Sequence, residues 1–251
     1  MNLRVRTWVY VTSAVVVFGV LLYASGGLPP FGSFSGAYTD YILRVATVER
    51  SVLNMPTAIN FDYRGFDTLG EEFIFFASVS GVLLLFRALK TKAVRYPEPM
   101  ESERSRGQTG AIRLFPVGLL GFTAALGMDL GAHGQLTPGG GFQGGAIFGS
   151  AIACVYLGLG LLALTKLTHR STFDMLEAFG AFSFAALGGA ALLIAGSFLQ
   201  NVMPLGQTGA TVSGGTIYFL SCAVFVEIAC GFAVLMIVFL RQTRETQEDE
   251  G

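Results

Sequence analysis

The chain has 251 residues and a formal net charge of −1 at pH 7, with 52% hydrophobic and only 13% charged residues. Soluble globular domains carry about 25% charged residues. The composition therefore excludes an ordinary soluble domain and indicates a protein that lies in lipid.

Long apolar intervals separate the charged stretches along the chain. A helix needs about 20 residues to cross about 30 Å of hydrocarbon. Six intervals are long enough, at about residues 7–24, 70–89, 113–130, 142–165, 174–199 and 214–240. The first follows Arg4 and Arg6 as a signal peptide would, but its apolar run exceeds a typical signal core. The predicted fold class is an all-α integral membrane protein with six transmembrane helices.

The distribution of Lys and Arg indicates the orientation. With a cytoplasmic amino terminus and six spans, all but three of the 16 basic residues lie on the cytoplasmic side; the exceptions are Arg44, Arg50 and Arg64. An excess of basic residues marks cytoplasmic loops. We therefore predict an N-in, C-in, multi-pass protein of the cell (inner) membrane.

A polar stretch divides the predicted spans into two and four. It contains two prolines and charges of both signs, which is typical of a cytoplasmic linker. The predicted parts are a two-helix part at 1–90, the linker at 91–112, a four-helix part at 113–241 and a charged cytoplasmic tail at 242–251.

The segment between the first two spans is too polar to cross the membrane. Its apolar spacing predicts an amphipathic surface helix near 37–53, then a short extended piece and a turn at Arg64 and Gly65. Asp67 is predicted to cap the second span. Glu71 and Glu72 form an acidic outer entrance that concentrates cations, and Arg64 offsets part of that charge.

The stretch TPGGGFQGGAIFGS at 137–150 places flexible residues before an apolar helix. Pro138 has no amide hydrogen, and Gly139, Gly140 and Gly141 accept dihedral angles that other residues avoid, so the helix is predicted to begin near Phe142. Irregular backbone at membrane depth must be buried in protein or line a wet cavity. The loop thus predicts a protein partner or a polar vestibule.

Glycines recur every fourth residue in the helix that follows. Gly141, Gly145 and Gly149 share one face, and Gly127 and Gly131 repeat the pattern in the preceding span. Small residues at this spacing let transmembrane helices approach closely. Tight packing is one interpretation; an ion route lined by backbone groups of the loop is the alternative.

Glu227 lies at the centre of the last span, about 13 residues from either end of its interval. A charge at the bilayer centre costs about 2.5–3.5 kcal/mol or more, so an acid there is a functional candidate. Three roles stay open: an ion pair or hydrogen bond to a neighbouring subunit, a proton or sodium relay, and a neutral buried acid.

Three further ionisable residues belong to the spans or their ends. Glu177 is expected to be a first-turn charge at a wet interface. Asp129 and His133 lie a turn apart before the glycine loop, as an ion-handling pair or as a cap and loop anchor.

Two motifs carry a family resemblance. FDYRGFDTLGEEFIFFASVSGVLLLFRAL at 61–89 resembles a segment near the carboxyl end of the A subunit of Mrp-type multisubunit sodium/proton antiporters and a small membrane subunit of membrane-bound hydrogenases. Residues from about 113 onward, with HGQLTPGGGFQGGAI at 133–147, resemble the B subunit of the same antiporters. In the motif Pro-Gly-Gly-Gly-Phe-x-Gly-Gly, which includes Gly144, the resemblance marks Pro138 and Phe142.

The resemblance implies a non-catalytic membrane subunit of an ion-translocating complex, here a fusion of pieces that the antiporter keeps in two subunits. Implied partners are other membrane subunits, including proton-pumping subunits of the complex-I type, with Na⁺, H⁺ and lipid but no nucleic acid. No cofactor, metal site or stand-alone enzymatic activity is expected, since no phosphate-binding loop, metal-ligand spacing or nucleophile-base set occurs. The alternatives are a membrane-arm subunit of a redox complex such as a hydrogenase, and a purely structural scaffold.

Overall fold

A computed structural model describes residues 3–28, 36–89, 110–167 and 169–249. These residues are helical or irregular, with no strand among them. Six helices within these ranges are long and apolar enough to cross a membrane, which confirms the all-α fold class and the six predicted spans. The chain divides into two compact units, Met1–Tyr41 and Ile42–Gly251.

The first unit contains α1 (Leu3–Gly26) and the start of α2 (Ala37–Glu49). α1 is apolar on every side, and the side chains of Trp8, Tyr10 and Tyr23 are exposed. Because a helix of this kind has no polar face for water, it is suited to lipid or to a partner chain.

The second unit begins with the end of α2, where Ala46 is fully buried. The elements that follow are α3 (Met55–Ala58), a π-helical turn (Ile59–Tyr63), α4 (Gly65–Leu89), α5 (Gly110–Ala132), α6 (Gly141–Leu167), α7 (Arg170–Ala195) and α8 (Thr216–Asp249). α6 is interrupted at Gly160, whose φ of 84° leaves the helical region.

α8 is the central helix of this unit. In the most apolar stretch of α8, 61% of the residues are buried, against 11% in the corresponding stretches of α4 and of α5. It contacts α4, α6 and α7, and its buried face includes Ile217, Val224 and Ile228. Side chains on α8 are therefore the ones most shielded from lipid.

Close glycine contacts fix the relative directions of the helices. A Cβ on Gly145 or Gly149 of α6 would meet α8 at Ala229 or Phe232, so α6 and α8 run parallel. By contrast, Gly131 of α5 lies beside Gly144 of α6 and Gly127 lies beside Phe148, so α5 and α6 run antiparallel. Alternating directions of this kind are what successive membrane crossings require.

Several predicted boundaries shift. α2 ends at Glu49, and the expected extended piece is the short helix α3 and the π-turn. α4 begins at Gly65, so Asp67 lies inside its first turn and the prediction of an Asp67 cap is wrong. Of the predicted linker at 91–112, residues 91–109 lie outside the described residues, and 110–112 belong to α5. The predicted tail continues α8 to Asp249.

Candidate functional site

Three acids from three helices meet inside the second unit. Glu72 of α4, Glu177 of α7 and Glu227 of α8 are 2%, 3% and 0% exposed. Each belongs to a segment apolar enough to span a membrane. We call these residues the acid cluster.

Glu72 and Glu227 form the central pair of the acid cluster. Their carboxyl groups lie within hydrogen-bonding reach of each other. No N–H or O–H of the described residues donates to either oxygen of Glu227, nor to Oε2 of Glu72. Because two carboxylates can only accept hydrogen bonds, the pair needs a proton, a cation or a donor from outside the described residues.

Glu177 extends the acid cluster along α7. It interacts electrostatically with Glu227 on one side and with Asp174 on the other. The expectation of a wet first-turn charge is wrong, because α7 already begins at Arg170 and α8 covers Glu177 around Gly231. Asp174, Glu177, Glu227 and Glu72 thus form a continuous series of acids.

The ion pairs of the described residues do not reach the acid cluster. They join Arg50 to Asp62, Arg64 to Asp67 and His133 to Asp129. An ion pair for Glu227 within the described part of the chain is therefore excluded, whereas a shared proton, a bound cation and a partner subunit stay open.

Close helix packing surrounds the acid cluster. A Cβ on Gly180 of α7 would lie 2.6 Å from the backbone nitrogen of Glu227 and 2.8 Å from the carbonyl oxygen of Ala223. α7 and α8 are therefore in backbone contact at the level of Glu227. Nothing in the sequence pattern singled out Gly180, although it follows Glu177 by three residues and so shares its face.

Aromatic rings lie beside the acids. Phe75 of α4 has its ring centroid 5.5 Å from that of Phe232 on α8 and 6.4 Å from that of Phe142 on α6. Such tilted and edge-on arrangements are favourable for aromatic pairs. The rings keep the surroundings of the carboxyl groups apolar.

Glu71 and Glu72 point in different directions. Glu71 is exposed, whereas Glu72 is buried. Neighbouring residues on a helix are separated by about 100° and cannot both face the same partner. The predicted entrance of two acids is therefore wrong for Glu72, which belongs to the acid cluster. Arg64 pairs with Asp67 at the start of α4, as expected.

Residues 53–57 of the same chain cover part of the glycine loop. The amide of Asn54 donates to the carbonyl oxygens of Gly134 (2.7 Å) and Thr137 (2.9 Å). Thr57 Oγ1 donates to Gly134 O at 2.6 Å. The backbone nitrogens of Leu53 and Asn54 both donate to Gln135 O. Irregular backbone thus obtains the partners that it needs.

The motif residues lie at the turn from this loop into α6. Gly139 and Gly140 have φ values of 150° and 151°, which favour glycine. Pro138 is exposed, and α6 begins at Gly141, one residue before the predicted start.

The glycines of α6 face two neighbours. A Cβ on Gly141 would overlap the carbonyl oxygen of Ser221 on α8, and one on Gly145 would lie 2.9 Å from Phe225 O. Gly144, on the opposite face, would meet Gly131 N of α5 at 2.5 Å. The geometry supports the packing interpretation of these residues.

Asp129 and His133 form a separate pair at the end of α5. His133 Nδ1 lies 2.8 Å from Asp129 Oδ1. Their side chains are 62% and 37% exposed, respectively. The structure therefore does not bring them into the acid cluster.

A second polar cluster, not found by sequence reasoning, lies between α2 and α4. Arg50 pairs with Asp62 of the π-turn and stacks over the ring of Tyr63, 5.1 Å from its centroid. Burial raises the pKa of Asp62 above its ordinary value, although Arg50 and a hydrogen bond from Asn201 lower it. Burial and the hydrogen bond to Glu49 raise the pKa of Tyr63.

We expect Arg50→Leu to destabilise the chain in a pH-dependent way. Removing one partner of a buried ion pair costs about 3–5 kcal/mol, and the 29% exposure of Arg50 places the effect at the lower end. The pKa of Asp62 in the folded state then rises further above its unfolded value. The deficit is thus largest at high pH and disappears as the pH falls through the folded-state pKa of Asp62, which lies above its ordinary value.

Thermal unfolding in detergent at several pH values measures this effect. Arg64→Leu is the control, because its ion pair with Asp67 is largely exposed and worth at most about 1 kcal/mol. Equal, pH-independent losses in both variants would contradict the assignment of Arg50 as the counter-ion of a buried acid.

Together, the fold and the acid cluster define a multi-pass, all-helical membrane subunit with acids buried between its helices. Residues 111–238 match the model of a domain related to the MnhB subunit of Na⁺/H⁺ antiporter. The match covers half of the chain, and the chain belongs to this family. The resemblance to the Mrp-type B subunit is thereby confirmed.

Two solved structures share the fold. A chain of the membrane-bound sulfane sulfur reductase, an archaeal respiratory membrane complex, is 25% identical with a TM-score of 0.68, over 93% of this chain and 98% of that one. A chain of the Mrp complex from Dietzia sp. DQ12-45-1b is 23% identical with a TM-score of 0.68; 95% of this chain aligns with only 26% of that one.

A related sequence is an uncharacterised protein of Methanocaldococcus jannaschii, 29% identical over 199 residues, or 72% of this chain and 74% of that one. The chain is thus a membrane subunit of a cation/proton antiporter-type complex, with other membrane subunits as partners. Its family is one of transporter subunits.

Proposed function

We propose that this chain forms part of the ion pathway of a monovalent cation (Na⁺)/proton antiporter complex. The observation that carries the proposal is the buried central pair, Glu72 and Glu227, in which three of the four carboxyl oxygens have no hydrogen-bond donor among the described residues. A site of this kind holds either one shared proton or one cation. Because H⁺ and Na⁺ cannot occupy such a site at the same time, they compete for it, and antiport depends on this competition.

The series of acids gives the pathway a direction. With the proposed N-in, C-in orientation, Asp174 and Glu177 lie toward the cytoplasmic end of α7, Glu227 lies at mid-membrane, and α4 carries Glu72 toward the outside. Exposed Glu71 draws cations to the outer end. The chain supplies ion-handling groups and has no catalytic site of its own.

Orientation and host membrane complete the proposal. The excess of Lys and Arg supports cytoplasmic termini in the cell (inner) membrane. Proton-pumping subunits of the complex-I type are the proposed partners, with lipid around α1. The segment at 61–89 is proposed to correspond to part of the antiporter A subunit, fused to the B-like domain. Asp129 and His133 are proposed as a further, peripheral proton or cation contact.

A redox-coupled host complex is the second candidate. The matching chain of the membrane-bound sulfane sulfur reductase, an archaeal respiratory membrane complex, aligns with this chain over 98% of its length. In that case the same acid cluster serves ion transfer, and redox cofactors lie on other subunits.

Deletion of the gene and complementation test the proposal. In inverted membrane vesicles, the deletion should abolish proton movement driven by added Na⁺, and the wild-type chain should restore it. Proton movement that requires an electron donor and stops with the redox reaction would favour the redox-coupled host. Unchanged movement of protons and Na⁺ in the deletion would contradict both.

A further inference from the structure

The contact between α4 and α8 has a regular register. Glu72 and Phe75 are three residues apart on α4, and Glu227 and Gly231 are four residues apart on α8, so each pair shares one helix face. Glu72 meets Glu227, and Phe75 meets Gly231 one turn further along. The two contacts therefore belong to a single parallel helix interface.

Gly231, the one glycine of α8, leaves the space that the Phe75 ring fills. A Cβ built on Gly231 would overlap Cε1 of Phe75 and lie 2.9 Å from its Cζ. The same Cβ would lie 3.2 Å from Oε1 of Glu177. Because Gly231 has only a hydrogen atom in place of a side chain, both the Phe75 ring and the Glu177 carboxyl group can approach α8 at this position.

The Phe75 ring is half-buried. Phe232 flanks it on α8 and Phe142 flanks it on α6, and these two rings are 36% and 44% exposed. Added volume at position 231 pushes the Phe75 ring away from α8, and the backbone of α4 follows to the extent that the ring stays between its two neighbours. Because α4 is a continuous helix, Glu72 moves with Phe75.

We propose that Gly231 and Phe75 are positioning residues that set the separation of the Glu72 and Glu227 carboxyl groups. The inference rests on the proposed function of that pair. It also links the pair to the glycine motif, because Phe142 contacts the ring that sets the spacing. A wider pair holds a shared proton or cation less tightly.

Gly231→Ala, Phe75→Leu and the double variant test the inference in the purified complex. Gly231→Ala should raise the Na⁺ concentration for half-maximal transport about tenfold, or ~1.4 kcal/mol, with a smaller change in the maximal rate. The double variant should recover most of this increase, because Leu leaves room for the new methyl group. Gly189→Ala is the control, since a Cβ there meets nothing within 4 Å.

An infrared measurement separates this inference from the proposed function. The carbonyl stretching band of the protonated acid is assigned by its loss in Glu227→Gln. In Gly231→Ala this band should shift toward the frequency of an isolated carboxylic acid. In the double variant it should return to the wild-type frequency. The position of this infrared band can be measured whether or not the complex transports ions. Normal transport in Glu227→Gln together with a shifted band would overturn the proposed function and leave the positioning inference intact.

Two outcomes overturn the inference. One is an unchanged band and unchanged half-saturating Na⁺ in an assembled Gly231→Ala complex. The other is a double variant no better than the single one. If Gly231→Ala fails to assemble, recovery of assembly in the double variant supports the inference, and failure of both contradicts it.

Discussion

Glu227→Gln is expected to abolish cation-driven proton movement while the complex assembles normally. The side chain is 0% exposed and lies at the centre of the most buried helix. Gln has nearly the same size, but it can neither give up a proton nor bind Na⁺ as a carboxylate does. Since a charge at this depth costs about 2.5–3.5 kcal/mol or more, its removal does not weaken the fold.

Vesicle assays of Na⁺-driven proton movement measure the loss, with the amount of co-purified partner subunits as the assembly control. Glu71→Gln is the matched comparison, because Glu71 adjoins Glu72 but is exposed. It should raise the cation concentration needed for half-maximal transport and leave the maximal rate unchanged. Full activity in Glu227→Gln would remove the acid cluster from the pathway.

Gly145→Leu is expected to prevent folding of the second unit. A Cβ at this position would lie 2.9 Å from Ile228 Cβ and 3.0 Å from the backbone nitrogen of Ala229. Overpacking a core by a few methylenes costs about 1–3 kcal/mol, and here the obstacle includes backbone of the central helix. α6 and α8 must separate, which disrupts the packing of α6 against the central helix.

The recovery of monodisperse protein in detergent measures this effect. Gly189→Leu on α7 is the control, because nothing lies within 4 Å of a Cβ there. A Gly145→Leu chain that folds and assembles but no longer transports ions would support the ion-route interpretation of the glycine motif instead of packing.

Local signals in the sequence were sufficient for the spans and for Glu227. Apolar length decides whether a helix can cross lipid, and the central position of Glu227 in its span is visible without a structure. The glycine spacing likewise predicts close packing, and the structure places Gly141, Gly145 and Gly149 against α8.

Contacts between distant segments could not be predicted in this way. From the sequence alone, Glu177 resembles a charge in the first turn of a helix, because the contact with α8 that covers it is not visible. Glu72 cannot be distinguished from Glu71 without knowing which face of α4 packs against α8. Asn54 lies 80 residues before Gly134, whose carbonyl oxygen it binds. In each case the deciding partner is remote in sequence.

The central pair joins the two regions that carry the family resemblance. Glu72 belongs to the segment at 61–89, for which we propose a correspondence to part of the antiporter A subunit, and Glu227 belongs to the B-like domain matched at 111–238. If the proposed fusion is correct, the pairing gives a physical reason for it, because each acid of the pair lies in a different region.

Proton release on addition of Na⁺ to the purified complex tests the central claim most directly. With a pH-indicator dye in weakly buffered detergent solution, Na⁺ should displace the shared proton in the wild-type complex, and Glu227→Gln should release none. Equal release from both complexes would show that sodium and protons do not compete at Glu72 and Glu227.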